Sequence, residues 1–184
     1  MADSSTIYTI GHSDRSLKNL IALLALHKIA VLVDIRVQPY SRRFPHFNQE
    51  VLRQAVNQAD IDYHWAGRQL GGERELTKSS RHMALKESSM QAFAEYMDSP
   101  QFQQAIMQLT NLSQRSPIAL MCAEKLPAQC HRSLIADYLV LKDVDVQHII
   151  DNETVQTHQL NELARTESAA LIYDRNTTTR LDLH

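Results

Sequence analysis

The segment "AVLVDIRV", residues 30–37, constrains the fold of this chain more than any other. Its first four residues are apolar without interruption, and Asp34 and Arg36 follow them. An unbroken apolar run of this kind is typical of a strand that is buried on both faces, as the strands of parallel sheets are. Parallel neighbours require long crossover connections, which are usually helices. The segment therefore predicts a parallel sheet that is covered by helices on both sides.

The rest of the chain supplies strands and helices for such a sheet in alternation, which is the pattern of right-handed crossovers. β-forming runs predict strands within residues 6–13, 30–37, 61–72, 117–124 and 144–151. Helical patterns lie within residues 16–29, 47–61, 90–114 (broken near Pro100) and 130–143. Ser16 or Asp14 is a candidate N-cap for the first helix, and Asn48 for the second. We therefore expect an α/β fold with a mostly parallel five-stranded sheet and helices on both faces.

The length and the pattern together predict one domain over residues 1–184. The alternation covers a core of about residues 6–150 and weakens in a C-terminal extension, residues 151–184. In that extension we expect a short helical stretch, a strand at "ALIYD" (170–174) and a frayed tail over the last eight residues.

Composition excludes several classes of protein. The formal net charge of -2 argues against a generally basic coat for DNA. No apolar run approaches the roughly 18 residues that span a bilayer, so no membrane partner is expected. The N-terminus lacks the basic and apolar regions of a secretory signal. The chain contains two cysteines, which we therefore expect to be reduced thiols of a cytoplasmic protein.

Reactive and charged residues follow the predicted strands. Because ligands of open parallel sheets bind at the carboxyl ends of the strands, these residues are expected to surround one pocket. The candidate catalytic residues are Cys122, Cys130, His131, His12, Asp34 and Glu124. The candidate substrate-binding residues are Gly11, Ser13, Arg36, Ser41, Arg42 and Arg132.

The two cysteines leave three interpretations open. A cysteine after a strand, followed by an arginine at a helix start, suggests a thiolate stabilised by backbone N–H groups and positive charge. Nine residues separate Cys122 from Arg132, which is too long for a tyrosine phosphatase loop. Buried, inert thiols are the second interpretation. The third is a zinc site with His12 and His131, but the spacing does not match a zinc knuckle, and we predict no metal.

The charged residues also have alternatives. Asp34 can act as a base or orient a histidine, or it can simply form an ion pair with Arg36 at the strand end. Ser41 and Arg42 belong to a basic segment that can bind phosphate or carboxylate, or can be a solvated turn. The residues indicate no particular cofactor.

Five ordered motifs resemble one known family, the domain of unknown function 488 family of prokaryotes. The motifs are "TIGHS" (9–13), "LVDIR" with a following "PYSRRF" (32–44), "LGG" (70–72), "CAEKLPAQCHR" (122–132) and "HI" (148–149). The resemblance covers about residues 6–150 and implies the fold and the pocket rather than a reaction. Some members of that family carry a DNA-repair label, so the resemblance also implies a DNA-repair association.

Two functional hypotheses follow. The first is an enzyme that acts on a small anionic substrate, of nucleotide or nucleic-acid origin, by thiol or His/Asp acid–base chemistry. The second is a non-catalytic module that binds nucleotides or nucleic acid in the same pocket, with inert thiols. A lowered thiol pKa favours the enzyme, whereas binding that survives replacement of both cysteines favours the module.

Overall fold

The computed structural model describes residues 5–76 and 78–176. Its strands are β1 (Thr6–Gly11), β2 (Val31–Asp34), β3 (Asp62–Trp65), β4 (Ile118–Cys122), β5 (Asp145–Ile149), β6 (Val155–Thr157), β7 (Ala164–Glu167) and β8 (Ala170–Tyr173). Its α-helices are α1 (Leu17–Leu26), α2 (Gln49–Asn57), α3 (Gly67–Leu70), α4 (Ser88–Tyr96), α5 (Pro100–Ser113) and α6 (Arg132–Leu141). Two short 3₁₀ helices span Pro45–Phe47 and Pro127–Gln129.

The predicted α/β fold is confirmed. The main sheet has the strand order β3-β2-β4-β1-β5-β6, and all five predicted strands pair in parallel. A sixth strand, β6, adds to β5 in antiparallel direction and was not predicted. All three residues of β6 are exposed, so the sequence carries no alternating apolar pattern there.

Helices cover both faces of the sheet. On one face, Leu24 of α1 and Leu52 of α2 belong to one buried cluster with Leu32 of β2. On the other face, α4, α5 and α6 bury a larger cluster that includes Phe102 and Leu134. β2 and β4 are buried along their whole length, which explains the unbroken apolar runs Val31–Val33 and Ile118–Cys122.

Local patterns predicted most element boundaries. The side chain of Ser16, rather than that of Asp14, caps α1 by accepting a hydrogen bond from Asn19 N at 3.1 Å. Asn48 occupies the N-cap position of α2, but its side chain accepts a hydrogen bond from Ser41 N instead. The predicted break near Pro100 separates α4 from α5.

The C-terminal extension differs from its prediction. The expected helical stretch is wrong, because the described residues after Asp151 form β6 and the β7–β8 hairpin, and no helix. The expected strand at "ALIYD" is confirmed as β8. The third predicted strand is shorter than expected, since β3 ends at Trp65 and α3 follows. The predicted frayed tail lies outside the described residues.

A buried polar network fastens this extension to the sheet. Asp137 of α6 accepts hydrogen bonds from Tyr173 Oη and His158 Nε2, both at 2.8 Å, and from Asn161 N at 2.9 Å. His158 Nδ1 lies 2.9 Å from His148 Nε2, and His148 Nδ1 lies 2.6 Å from the hydroxyl of Thr9. The chain of contacts thus joins β1 and β5 to α6 and β8. We call these residues the Asp137 network.

Connections in the sheet create a crevice at its carboxyl edge. The chain leaves β2 toward β3, whereas it leaves β4 in the opposite direction, past β1 to β5. Adjacent strands whose connections diverge leave an opening between their carboxyl ends. None of the helices in the described part of the chain is long and apolar enough to cross a membrane.

Candidate active site

A cleft of about 1180 Å³ lies at this carboxyl edge. It is formed by the segments that follow β1, β2 and β4, together with the loop after α3 and the start of α4. Eight of the twelve predicted site residues line it: His12, Ser13, Arg36, Ser41, Cys122, Glu124, Cys130 and His131. The convergence of strand ends that the sequence predicted therefore occurs.

Gly11 permits the close packing of two cleft segments. Pairing of β1 with β4 continues beyond the strands, since His12 N donates to Cys122 O at 2.9 Å and Ser13 N to Ala123 O at 2.8 Å. A Cβ atom on Gly11 would lie 1.8 Å from the backbone oxygen of Glu124. Only glycine allows this approach. Gly11 therefore acts through the backbone, by placing His12 beside Cys122.

The two thiols form the floor of the cleft. Both cysteines are free and buried, and their sulfur atoms lie 2.9 Å apart. The hydrogen bond from Cys130 lowers the pKa of the Cys122 thiol, and the positive charge of Arg132 lowers it further, against the opposing effect of burial. The same hydrogen bond and burial raise the pKa of the Cys130 thiol. The pair is therefore asymmetric, with the lowered pKa at Cys122 and with Cys130 as the hydrogen-bond donor between the two sulfur atoms.

Arg132 lies behind Cys122 and is only 1% exposed. Its Nη1 donates to Cys122 Sγ at 3.2 Å, and its Nη2 donates to Lys125 O at 3.1 Å. Its Nε has no hydrogen-bond partner among the described residues, and no ion pair with a carboxylate is found there. A buried cation without a counter-charge is costly. A thiolate at Cys122 would provide that counter-charge.

His131 contacts the second thiol. Its Nε2–H donates to Leu70 O at 2.8 Å, so its Nδ1 presents a lone pair to Cys130 Sγ at 3.4 Å. Burial lowers the pKa of His131 to about 4, so the ring is neutral at neutral pH. A Cβ atom on Gly72 would lie 2.5 Å from His131 Nδ1, which explains the glycine of the "LGG" motif. Gly72 was not predicted as a site residue, because only the fold brings this loop to α6.

Arg36 is held by a buried carboxylate. Asp34 accepts bonds from Arg36 Nε at 2.9 Å and Nη2 at 2.6 Å, and from the hydroxyl of Tyr63 at 2.7 Å. Asp34 is fully buried and does not line the cleft, so it acts through Arg36. The sequence did not predict Tyr63 as a partner of Asp34. Tyr63 belongs to β3, and only the tertiary structure shows that β3 pairs with β2.

His12 completes the floor of the cleft. Its Nδ1–H donates to Ser13 O at 2.9 Å, and its Nε2 faces Arg36 Nη1 at 3.4 Å. Because arginine only donates, His12 Nε2 must accept, which fixes the neutral tautomer. Burial lowers the pKa of His12 to about 4. His12 can therefore accept a proton but is not a general acid near pH 7.

The remaining predicted residues take different positions. Ser41 lines the cleft and also shapes its own turn, since its hydroxyl accepts from Phe44 N at 3.0 Å. Glu124 is exposed at the cleft edge. Arg42 is exposed and is not part of the lining, where its neighbour Arg43 takes its place.

Acidic side chains dominate the charge of the lining. Two arginines, Arg36 and Arg43, contribute positive charge. The carboxylates of the lining are Asp14, Glu73, Glu87 and Glu124. Asp14, Glu73 and Glu87 were not predicted as site residues, because exposed acidic residues in the connecting segments carry no sequence signal of their own.

A zinc site was one of the three interpretations of the two cysteines. Across residues 5–76 and 78–176, no group of three or more histidine, cysteine or acidic residues is arranged to hold a metal ion.

A second cleft, of about 720 Å³, is lined by Asp137, His148 and His158 of the Asp137 network and by Ser133.

Comparison with known proteins gives one match. The model of the family described as "Domain of unknown function DUF488" matches residues 16–139, which is more than half of the chain. No curated protein matches, and no solved structure matches. The chain belongs to the DUF488 family.

Proposed function

We propose that this protein is a thiol-dependent enzyme, in which the Cys122 thiolate attacks an electrophilic atom of a small substrate held in the cleft. The observation that carries the proposal is the buried guanidinium of Arg132, which lies 3.2 Å from Cys122 Sγ and has no carboxylate partner among the described residues. A thiolate is the nucleophilic form of cysteine, and a neighbouring cation stabilises it.

Helix geometry supports the same assignment. The backbone N–H of Arg132, at the start of α6, lies 3.4 Å from Cys130 Sγ. The thiol pair thus lies at the positive end of a ten-residue helix, where negative charge is stabilised. Cys130 donates to Cys122 and holds the nucleophile in the unprotonated state.

The charge of the cleft limits the substrate. Arg36 and Arg43 can hold one anionic group, such as a carboxylate or a phosphate. Four carboxylates in the same lining oppose a chain of phosphates. We therefore propose a small substrate with one anionic group, in which Arg36 binds that group and Glu124 exchanges protons at the cleft edge.

The alternative is a non-catalytic module that binds nucleotides or nucleic acid in this cleft. It requires thiols that are inert and an electrostatic attraction for phosphates. The acidic lining weakens that attraction, and it lends no support to a DNA-repair association.

Residue-specific alkylation tests the proposal. Folded protein is treated with iodoacetamide across a pH series, and each thiol is followed by mass spectrometry. We expect Cys122 to react near pH 7, with a midpoint below the ordinary value of about 8.5, and Cys130 to react only at higher pH. Cys122→Ser removes the fast reaction. If neither thiol is alkylated quickly until the protein is denatured, the proposal is contradicted.

Ligand protection separates the enzyme from the binding module. The same alkylation is repeated with nucleotides, small phosphates and small carboxylates. A ligand that protects Cys122 binds in the cleft. If nucleotides bind equally well to the protein in which both cysteines are serine, and Cys122 is inert, the binding module is the better description.

A further inference from the structure

We propose that Cys122 and Cys130 are a redox couple, in which Cys122 is oxidised by hydroperoxides and Cys130 resolves the product into a reversible intramolecular disulfide. The inference rests on the Cys122 thiolate that the proposed function also uses, but it requires no anionic substrate in the cleft. It assigns to Cys130 a role that nucleophilic catalysis by Cys122 alone does not need.

The distance between the sulfur atoms supports a disulfide. The atoms lie 2.9 Å apart in the dithiol form, and a disulfide bond is about 2.0 Å long. Closing the bond therefore requires a small movement of one sulfur toward the other.

The chain between the two cysteines is able to make this movement. Six of the seven intervening residues are exposed, and only Pro127 is half-buried. They form a loop and the short 3₁₀ helix Pro127–Gln129 rather than part of the sheet. Exposed segments with few buried contacts shift at low cost. Cys130 itself lies in extended backbone just before α6.

The two thiols differ in the way that such a couple requires. Cys122 receives hydrogen bonds from Cys130 and from Arg132, so it is the sulfur that attacks. Cys130 keeps its proton until the second step, and the lone pair of His131 Nδ1 lies 3.4 Å from its sulfur. Cys122 and Cys130 both line the cleft, through which a hydroperoxide of modest size can enter.

The reaction balances in two steps. The Cys122 thiolate attacks the terminal oxygen of the hydroperoxide, so that an S–O bond forms, the O–O bond breaks, and the leaving alkoxide (hydroxide for hydrogen peroxide) takes a proton from solvent. The Cys130 sulfur then attacks the Cys122 sulfenic acid. An S–S bond forms, the S–O bond breaks, and the leaving hydroxide takes the Cys130 proton to become water. A small dithiol reverses the couple by thiol–disulfide exchange.

Peroxide titration of the whole chain tests the couple. Reduced protein is exposed to hydrogen peroxide in small molar excess, and its products are identified by intact mass and by peptide mapping under non-reducing conditions. The chain contains only these two cysteines, so any intramolecular disulfide joins them. We expect that disulfide as the main product and its complete reversal by dithiothreitol.

Cys130→Ser is the matched variant, because its hydroxyl still donates to Cys122 but cannot form a disulfide. We expect it to accumulate a sulfenic acid at Cys122, with about tenfold more dimedone adduct than the native protein. Cys122→Ser is expected to be inert. Circular dichroism checks that both variants fold, and the peptide map of the native protein decides the question if a variant does not fold.

The outcomes separate this inference from the proposed function. Fast alkylation of Cys122 together with overoxidation to sulfinic acid, or with disulfide-linked dimers only, would overturn the redox couple and leave the proposed nucleophile intact. Equal dimedone labelling of the native protein and Cys130→Ser would also overturn it. An intramolecular disulfide in a protein whose Cys122 resists alkylation would support the couple and contradict the proposed enzyme.

Discussion

The cleft and the Asp137 network are both built from buried polar groups, but they differ in how those groups are satisfied. In the Asp137 network, Asp137 accepts three hydrogen bonds and each histidine has a partner at both ring nitrogens. In the cleft, Arg132 Nε has no hydrogen-bond partner among the described residues, and the two thiols share a single hydrogen bond between them. A satisfied network stabilises the fold, whereas an incompletely satisfied one leaves a charge available for chemistry.

Acidification is expected to have the largest effect, because it acts on both regions. Burial lowers the pKa of His12 and of His131 to about 4, and that of His148 to about 3. In the unfolded chain these groups take up protons below about pH 6.5, so the free energy of unfolding falls as pH falls from 6.5 toward 4. From pH 7 to pH 5 each histidine contributes a loss of up to about 2 kcal/mol. Urea unfolding across this range measures the loss.

Single variants divide this pH dependence between the two regions. His131→Asn in the cleft and His148→Asn in the Asp137 network are each expected to flatten the slope, by about one proton. His64→Asn, at an exposed position, is the control. An unchanged slope in both buried variants would contradict the assignment of neutral histidines.

Removal of the central carboxylate breaks the Asp137 network alone. Asp137→Ala leaves the donors of Tyr173, His158 and Asn161 without an acceptor, so we expect a loss of about 3 kcal/mol in the free energy of unfolding. Urea denaturation measures it. Asp143→Asn, in the exposed turn that follows the same helix, is the matched control. The alkylation rate of Cys122 in folded protein should not change, and a large change would mean that the regions are coupled.

Removal of the buried cation tests the cleft. Arg132→Met keeps much of the side-chain volume but removes the charge that lies 3.2 Å from Cys122 Sγ. We expect the alkylation rate of Cys122 at pH 7 to fall about tenfold, because the thiol pKa rises when the neighbouring positive charge is removed. Arg132→Lys keeps the charge and should lose less. A pH profile identical to that of the native protein would show that Arg132 does not stabilise the thiolate.

The smallest effect is expected from removing a hydrogen bond to Asp34, the carboxylate that holds Arg36. Tyr63→Phe removes one of the donors to Asp34, which keeps its bonds to Arg36. We expect a loss of about 1 kcal/mol in the free energy of unfolding, measured with urea. Tyr40→Phe, at an exposed tyrosine of the cleft, is the control. A loss as large as that of Asp137→Ala would mean that the buried polar groups of the cleft are as fully hydrogen-bonded as those of the Asp137 network.

The sequence predicted the cleft better than it predicted the network. Cleft residues follow strands, and in a parallel sheet every strand end lies at the same edge, so the chain alone brings Cys122 and Arg36 together. The Asp137 network joins Thr9 of β1 to Tyr173 of β8, across more than 150 residues, and its β6 and β7 have no apolar alternation. Such contacts depend on how the extension folds back, for which the sequence carries no periodic signal.

The sequence by itself determined the α/β class, the five parallel strands and the set of reactive residues at their ends. Alternating patterns and buried strands are local consequences of side-chain chemistry, and they can be recognised without a fold. The tertiary structure decided which thiol has the lowered pKa, since that depends on the hydrogen bond between two sulfurs 2.9 Å apart and on the position of Arg132. It also decided that Asp34 serves Arg36 rather than the cleft. Electrostatic roles depend on distances of a few ångströms, which only the packed structure sets.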